Sequence, residues 1–295
     1  FLFSFGAIAD IQHANKPNQV VGNALRRYRE SIQKLSLAIK EWKGYSENVK
    51  PLNCVVQLGD LIDGNISEGL IRQDFERVAA AFDELGHIPV YHVVGNHCLE
   101  CPREDVVSRL PALRQQEHCY YSVRIVEGWR LIVLDTSELS FHSGYGKDSD
   151  IWRESQLFYE QHPPSEHPQM AEWNGGIGAR QMRWLEQALA GAAAAGDCVI
   201  VAAHHPIGSA QKCLRAWNWE EIHETLARWS SCVRLVLTGH DHLGGYGALA
   251  GIHYVTLEGV VESADDSNSY AVIEVREDAI EIHGRGVVSR VLPIG

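Results

Sequence analysis

No apolar run in the chain reaches the eighteen or so residues that a bilayer crossing needs, so no membrane-spanning helix is expected. Positive charge is also scarce, with 26 Lys and Arg against 38 Asp and Glu and a formal net charge of −12. That balance argues against nucleic acid or an anionic membrane as partner. A small anionic substrate stays compatible with it, because a metal cluster can reverse the field inside one cleft. Cysteine has no regular spacing, and its count of seven is odd. This fits a reducing compartment better than a disulfide framework, and a cytoplasmic location is the expectation. Cys98 and Cys101 form a single C-x-x-C; with no second pair and no redox setting around it, the pair reads as ordinary thiols. Internal repeats and low-complexity segments are absent apart from the short alanine run 192–195, which reads as helix. No secretory signal pattern is evident, and the chain begins at Phe1 rather than Met.

What the chain does have is a large apolar fraction, 45% of 295 residues, with 22% charged, the balance of a soluble globular protein. Short runs rich in Val, Ile, Leu and Tyr predict strands at 2–9, 53–58, 89–94, 119–126, 129–135, 198–203, 233–238, 252–258, 270–276 and 279–284. Helical spacing is clear at Ile32, Leu35, Ile39 and Trp42, and again at Ile71, Phe75, Val78, Phe82 and Leu85. Further helices are expected over about 178–195 and 218–230. Early strands alternate with helices and late strands follow one another as hairpins, which predicts an α/β fold of two packed mixed β-sheets flanked by helices. The stretch 136–176 has weak periodicity and many polar, Gly, Pro and His residues, and reads as a long functional loop or lid.

Chemistry gathers where the predicted strands end. The first runs into Asp10-Ile11-Gln12, the second into Gly59-Asp60, and the third into Gly95-Asn96-His97. Later strands run into His204-His205-Pro206 and Gly239-His240-Asp241-His242. In open α/β sheets ligands bind beyond the carboxyl ends of the strands, so five strands deliver metal-ligating residue types to one edge. Glycine precedes three of the five motifs and permits sharp turns close to a site. Each motif alone is as well explained by a turn, a cap or a hydrogen-bonded core histidine. Five of them in one order are not.

That order, D-x-(H/Q), G-D, G-N-H, a strand-terminal His and G-H-x-H across residues 10–242, resembles the signature of the calcineurin-like metallophosphoesterase superfamily. The resemblance implies an α/β/β/α sandwich with a dinuclear centre. One metal would be held by Asp10, Gln12, Asp60 and His242, and the other by Asp60, Asn96, His204 and His240, with Asp60 bridging. Because these residues interleave over most of the chain, a single domain spanning 1–295 is expected. Two cations about 3.5–4 Å apart orient a phosphoryl group and neutralise attacking and leaving oxygens. The set contains no thiolate, which argues against structural zinc. Gln12 stands where the superfamily usually has His, and its hard amide oxygen shifts preference at that site towards Mn²⁺ or Mg²⁺ over zinc, Mn²⁺ being the expected metal and Mg²⁺, Fe and Zn²⁺ also compatible with the centre. His97 matches the histidine that stabilises or protonates the leaving oxygen; a purely structural contact with Asp60 or Asp63 is its other reading. Asp63 reads equally as the residue that orients His97 and as a turn cap. His205 is expected beside the ligands rather than among them.

Further stretches resemble the Mn²⁺-dependent ADP-ribose/CDP-alcohol diphosphatases within that superfamily. They are D-I-Q, R-R-Y-R at 26–29, G-D-L-I-D-G at 59–64, W-N-G-G-I-G at 173–178, C-L-R-A-W-N at 213–218, G-H-D-H-L-G-G-Y at 239–246, L-E-G-V-V-E-S at 257–263 and G-R-G-V-V-S-R at 284–290. The implied reaction is hydrolysis of a diphosphate linkage to a nucleoside monophosphate and a phospho-product, by attack of a metal-bridging hydroxide. The partner would be a small nucleotide, and a monomer is compatible. Asn174, Gly175, Gly176, Cys213, Trp217 and Asn218 are candidates to bind it, although 174–176 read equally as a tight loop before the next helix and Trp217 also reads as core; Gly244, Gly245 and Tyr246 can flank it, and Arg285 and Arg290 can face its phosphates or solvent. Two departures stand out: Cys98 follows G-N-H where an acidic residue is common, and the segment between Gln12 and Arg26 is short and lacks aromatics. Rival readings are a phosphomonoesterase or cyclic nucleotide phosphodiesterase on the same scaffold, and a scaffolding protein without catalysis. The retained ligand types and His97 speak against the last.

Overall fold

The computed structural model describes residues 1–114, 116–208 and 211–294. The chain opens with β1 (Phe3–Ile8), a hairpin of β2 (Gln19–Val21) and β3 (Ala24–Arg26), α1 (Ser31–Asn48), β4 (Cys54–Gln57), α2 (Glu68–Asp83) and β5 (Val90–His92). Next come α3 (Arg103–Arg109), the hairpin β6 (Tyr121–Val126) and β7 (Trp129–Val133), α4 (Asp150–Gln161), α5 (Ala179–Ala195), β8 (Cys198–Ala202), α6 (Trp219–Arg228) and β9 (Val233–Thr238). The chain finishes with β10 (Gly245–Leu249), β11 (Ile252–Thr256), β12 (Tyr270–Val275), β13 (Ala279–Arg285) and β14 (Arg290–Pro293).

Two six-stranded sheets result, in the orders β14-β13-β12-β1-β4-β5 and β10-β11-β9-β8-β7-β6. Their centres are parallel, β1 with β4 and β4 with β5 in one, β7, β8, β9 and β11 in the other. Parallel strands need crossovers, and the helices that supply them cover the outer faces. The period of two shows which face is which. In β8, Ile200 and Ala202 join a core that also holds Phe5, Val56 and Ile273 of the other sheet. Val199 and Val201 point the other way, into a second core with Leu185 and Leu189 of α5 and Ile222 and Leu226 of α6. The helix pattern holds equally: Ile32, Leu35, Ile39 and Trp42 are the buried face of α1. At the start of α2 the Ser67 hydroxyl accepts from the Leu70 N–H, capping an otherwise free donor. Two packed mixed sheets flanked by helices are therefore the architecture, as the strand and helix pattern predicts.

Differences lie in short or exposed elements. β2, β3, β10 and β14 have three to five residues and are largely exposed; only Leu292 of β14 reaches the core, so no alternating core face marks them in the sequence. The 136–176 stretch is not without regular structure: it contains α4. Ile151, Phe158 and Tyr159 of that helix pack on a separate small core of Leu139, Met170 and Trp217. Residues 135–140 are buried, and Leu139 pairs with Gly176. No helix among the described residues is long and apolar enough to cross a membrane.

Candidate metal centre

β1 ends just before Asp10 and Gln12, β4 before Asp60, β5 before Asn96 and His97, β8 before His204, and β9 before His240 and His242. The backbone turns abruptly at these points. Asp10 (φ 52°), Gln12 (43°), Asp60 (54°) and His240 (69°) all occupy the left-handed region. Only one other non-glycine residue among those described does so, Ala250. Such conformations cost energy and persist where surrounding structure imposes them, commonly at functional sites. Gly59, at φ +98°, has a further reason to lack a side chain. A Cβ there would lie 2.3 Å from Nδ1 of His204.

The side chains meet in two adjoining groups. In the first, the His204 Nδ1–H donates to the Leu58 carbonyl at 2.8 Å, which fixes Nε2 as the nitrogen that faces inward. Nε2 stands 3.3 Å from Asp60 Oδ2, 3.1 Å from Asn96 Oδ1 and 3.2 Å from His240 Nδ1. Four electron-rich atoms thus crowd one point, an arrangement that repels itself unless a positive charge sits among them. Without metal a proton does this work. Burial opposes charge on His204, but the Asp60 carboxylate outweighs it and pushes the imidazole up to about 9. Burial likewise favours a protonated Asp60, yet His204 and His97 beside it hold that carboxyl below its ordinary range. A divalent cation substitutes naturally for the proton.

In the second group, His242 Nε2 faces Asp10 Oδ1 at 3.5 Å while its Nδ1 lies 2.7 Å from Glu262 Oε1. Burial works against charge on His242, but Asp10 and Glu262 raise it to about 10. Gln12 donates from Nε2 to Asp60 Oδ2 at 3.2 Å, while its Oε1 is buried without a hydrogen-bond partner. An orphaned buried amide oxygen is costly unless something positive engages it. Carboxylate, amide oxygen and imidazole together suit a hard or borderline divalent cation. Asp10, Asp60 and His204 bring ligand atoms within 4.8 Å of one another, as do His204, His205 and His240.

Beside these groups opens a cavity of about 490 Å³. Gln12, Asp60, Asn96, His97, His240 and His242 line it, together with Arg26, Trp173, Leu214, Leu243 and Glu262. Arg26 is the only Arg or Lys among the described lining residues. The His97 main-chain N–H donates to Asp60 Oδ1 at 2.9 Å, and its part-exposed ring has Nδ1 3.6 Å from Asp63 Oδ1, beyond a normal hydrogen bond. The ring therefore remains free to meet a ligand.

The profile of the calcineurin-like phosphoesterases matches residues 3–244, four-fifths of the chain, including all seven residues of the two adjoining groups that the sequence offers as ligands, and His97. The chain belongs to this family. It is similar over nearly its full length to proteins named manganese-dependent ADP-ribose/CDP-alcohol diphosphatase. The one from Bos taurus is 33% identical over 97% of this chain and 92% of its own. The one from Oryza sativa subsp. japonica is 31% identical over 96% and 91%. A solved structure described as a dimetal phosphatase from Danio rerio superposes with a TM-score of 0.91 at 28% identity, covering 100% of this chain and 99% of that one. This phosphoesterase is thus a metal-dependent hydrolase.

In the phosphoesterase the seven predicted ligands and His97 lie together. The six predicted substrate contacts do not line the cavity. Trp217 is buried among Phe141, Phe158 and Tyr159, stacking within a core rather than presenting a wall. Asn174 is fully buried, and Asn218 nearly so, its side chain bonded to both the N–H and the carbonyl of Ile177. Gly175 and Gly176 are packed against Thr136 and Asn218, and Cys213 is exposed outside the cavity. Glu262, Arg26 and Trp173 line the site without having been assigned a role from sequence. All three fall in stretches that mark the diphosphatase resemblance, which was the signal available. His205 lies against the metal group, with Nδ1 3.0 Å from Thr136 Oγ1 and Nε2 buried without a partner.

Proposed function

We propose that this phosphoesterase hydrolyses the diphosphate linkage of nucleoside diphosphate derivatives such as ADP-ribose and CDP-alcohols, using manganese. The observation that carries this reading is the crowding of acceptors around His204 Nε2 and the orphaned Gln12 oxygen, beside a cavity that Arg26 lines, in a chain similar along nearly its whole length to diphosphatases of that name. Asp10, Gln12, Asp60 and His242 would hold one ion, and Asp60, Asn96, His204 and His240 the other. When bound, the two ions supply Lewis-acid polarisation of the phosphoryl group and an acidified water.

The chain's own residues do the rest. Asp60 is fixed by the His97 N–H and the Gln12 amide, so its carboxylate is oriented before any ligand arrives. His97 faces the cavity and delivers a proton or positive charge to the leaving phosphate oxygen. Arg26, held by Asp63 at 3.2 Å and Glu262 at 3.4 Å, would offer its remaining guanidinium N–H groups to the second phosphate of a diphosphate. Trp173 and Leu243, both exposed at the rim, offer apolar surface to the remainder of the substrate. All seven cysteines are unpaired, which supports a reducing, cytoplasmic setting.

The test is Mn²⁺-supported turnover of ADP-ribose, CDP-choline, a 2′,3′-cyclic nucleotide and p-nitrophenyl phosphate. Release of AMP or CMP from the first two, in preference to hydrolysis of the others, is expected. Turnover of the monoester or cyclic substrate alone would sink the diphosphatase reading.

A further inference from the structure

Asn174 lies outside the cavity, wholly buried, yet touches the metal group. Its side-chain Nδ2 donates to the carbonyls of Gln169 at 2.8 Å and Cys213 at 2.7 Å. Carbonyls only accept, so both amide hydrogens are committed on that side and the orientation of the amide is settled. Its Oδ1 is left facing His240 Nε2 at 2.8 Å. An oxygen acceptor there requires the imidazole to carry its proton on Nε2, which leaves the lone pair on Nδ1. Nδ1 is the atom that stands 3.2 Å from His204 Nε2, at the point where the acceptors converge.

We propose that Asn174 is a positioning residue of the metal centre, fixing the tautomer and ring plane of His240 so that Nδ1 faces the ion. This rests on the ligand set proposed above. The two stretches that carry the diphosphatase resemblance, 173–178 and 213–218, form the mount. The Trp217 N–H donates to the Gly175 carbonyl at 2.7 Å. A Cβ on Gly175 would come within 2.4 Å of the Thr136 carbonyl, and one on Gly176 within 2.4 Å of Asn218 Oδ1. Gly176 thus admits no side chain while the two stretches stay in contact, and Gly175 none while the 136–140 loop stays packed on it. Their shared product is a rigid amide aimed at His240, which accounts for residues that do not line the cavity. His204 is held in the same manner by the Leu58 carbonyl and His242 by Glu262, so each metal-facing histidine has its far nitrogen engaged. Loss of such an outer partner typically weakens metal binding by about 10- to 100-fold.

The experiment measures Mn²⁺ affinity calorimetrically on metal-stripped protein, in a cycle of Asn174→Leu, His240→Ala and the double variant. Asn174→Leu is expected to weaken Mn²⁺ binding by about 10- to 100-fold. KM for ADP-ribose at saturating Mn²⁺ should not change. In the His240→Ala background the same change should add nothing, because its effect runs through that ring. Equal losses in both backgrounds, or intact Mn²⁺ affinity with a raised KM, overturn the assignment. Ring ¹⁵N NMR of the zinc-loaded wild type tests it without any variant: the proton should sit on His240 Nε2, and a proton on Nδ1 overturns it. Should the wild type bind no divalent ion, the ligand set itself fails and the role of Asn174 falls with it, a result distinct from binding that ignores the Leu variant.

Discussion

Replacing Glu138 with glutamine should make the protein more stable above neutral pH and change little in acid. Glu138 is buried at the start of α5, where its Oε2 accepts from the Gly178 N–H at 3.0 Å and from Gln181 Nε2 at 2.7 Å. Burial raises its carboxyl from 4.5 to about 7, the nearby Asp135 adding to the effect and the two hydrogen bonds only partly offsetting it. The folded protein therefore holds this proton more tightly than the unfolded chain does. Below pH 4.5 both states are protonated and the group costs nothing. As pH rises through 4.5 to about 7 the unfolded chain releases the proton first, and stability falls. At about 1.4 kcal/mol per tenfold change in proton affinity, the full loss is roughly 3 kcal/mol. Glutamine keeps an acceptor oxygen for both donors and has no proton to lose. Urea unfolding of both proteins between pH 4 and 8 should show Glu138→Gln gaining about 3 kcal/mol on wild type across that window. Parallel stability–pH curves for the two proteins would refute the reasoning.

Three further outcomes are expected. His97→Ala should lower kcat on a diphosphate substrate by about 10²- to 10⁴-fold while Mn²⁺ binding stays intact, since the ring faces the cavity and only the main chain of residue 97 touches Asp60; isothermal titration alongside steady-state kinetics separates the two effects. Gly59→Ala should destabilise the protein by more than the roughly 1–2 kcal/mol that left-handed backbone costs a non-glycine residue, because the new methyl meets the His204 imidazole; thermal unfolding with and without Mn²⁺ should show a diminished metal-induced stabilisation. Gln12→His should raise zinc-supported activity relative to manganese, by exchanging a hard oxygen for a borderline nitrogen donor, and competing Zn²⁺ and Mn²⁺ titrations of metal-stripped wild type and variant check it.

The parts of this molecule that sequence discloses are those written locally. β1, β4, β8 and β9 are short apolar runs, and the residue types with metal chemistry follow each of them directly. The cluster of Asp10, Asp60, His204 and His240 could thus be anticipated without contacts. The left-handed backbone at Asp10, Gln12, Asp60 and His240 could not, because even Asp and His adopt that conformation only in a small minority of cases. β10 is concealed by its two glycines and exposed face, and β14 by its length. α4 was hidden for another reason: its apolar side chains cover a small core made by Leu139, Met170 and Trp217, distant in sequence. The same distance explains the remaining gaps at the site. Glu262 meets His242, and Asn174 meets His240, only because separate loops are folded against one another. Trp217, in a stretch bearing the family resemblance, reads from sequence as either pocket wall or core, because sequence records the motif and not the aromatic shell that places it in the core.

The central claim is that these strand ends hold a pair of divalent ions bridged by Asp60. Mn²⁺ titration of metal-stripped protein, followed by electron paramagnetic resonance, tests it most directly. Two ions per chain with a spin-coupled signal, reduced to uncoupled or single-ion binding in Asp60→Asn, is the predicted result. One ion per chain in the wild type, or two that never couple, would contradict the account.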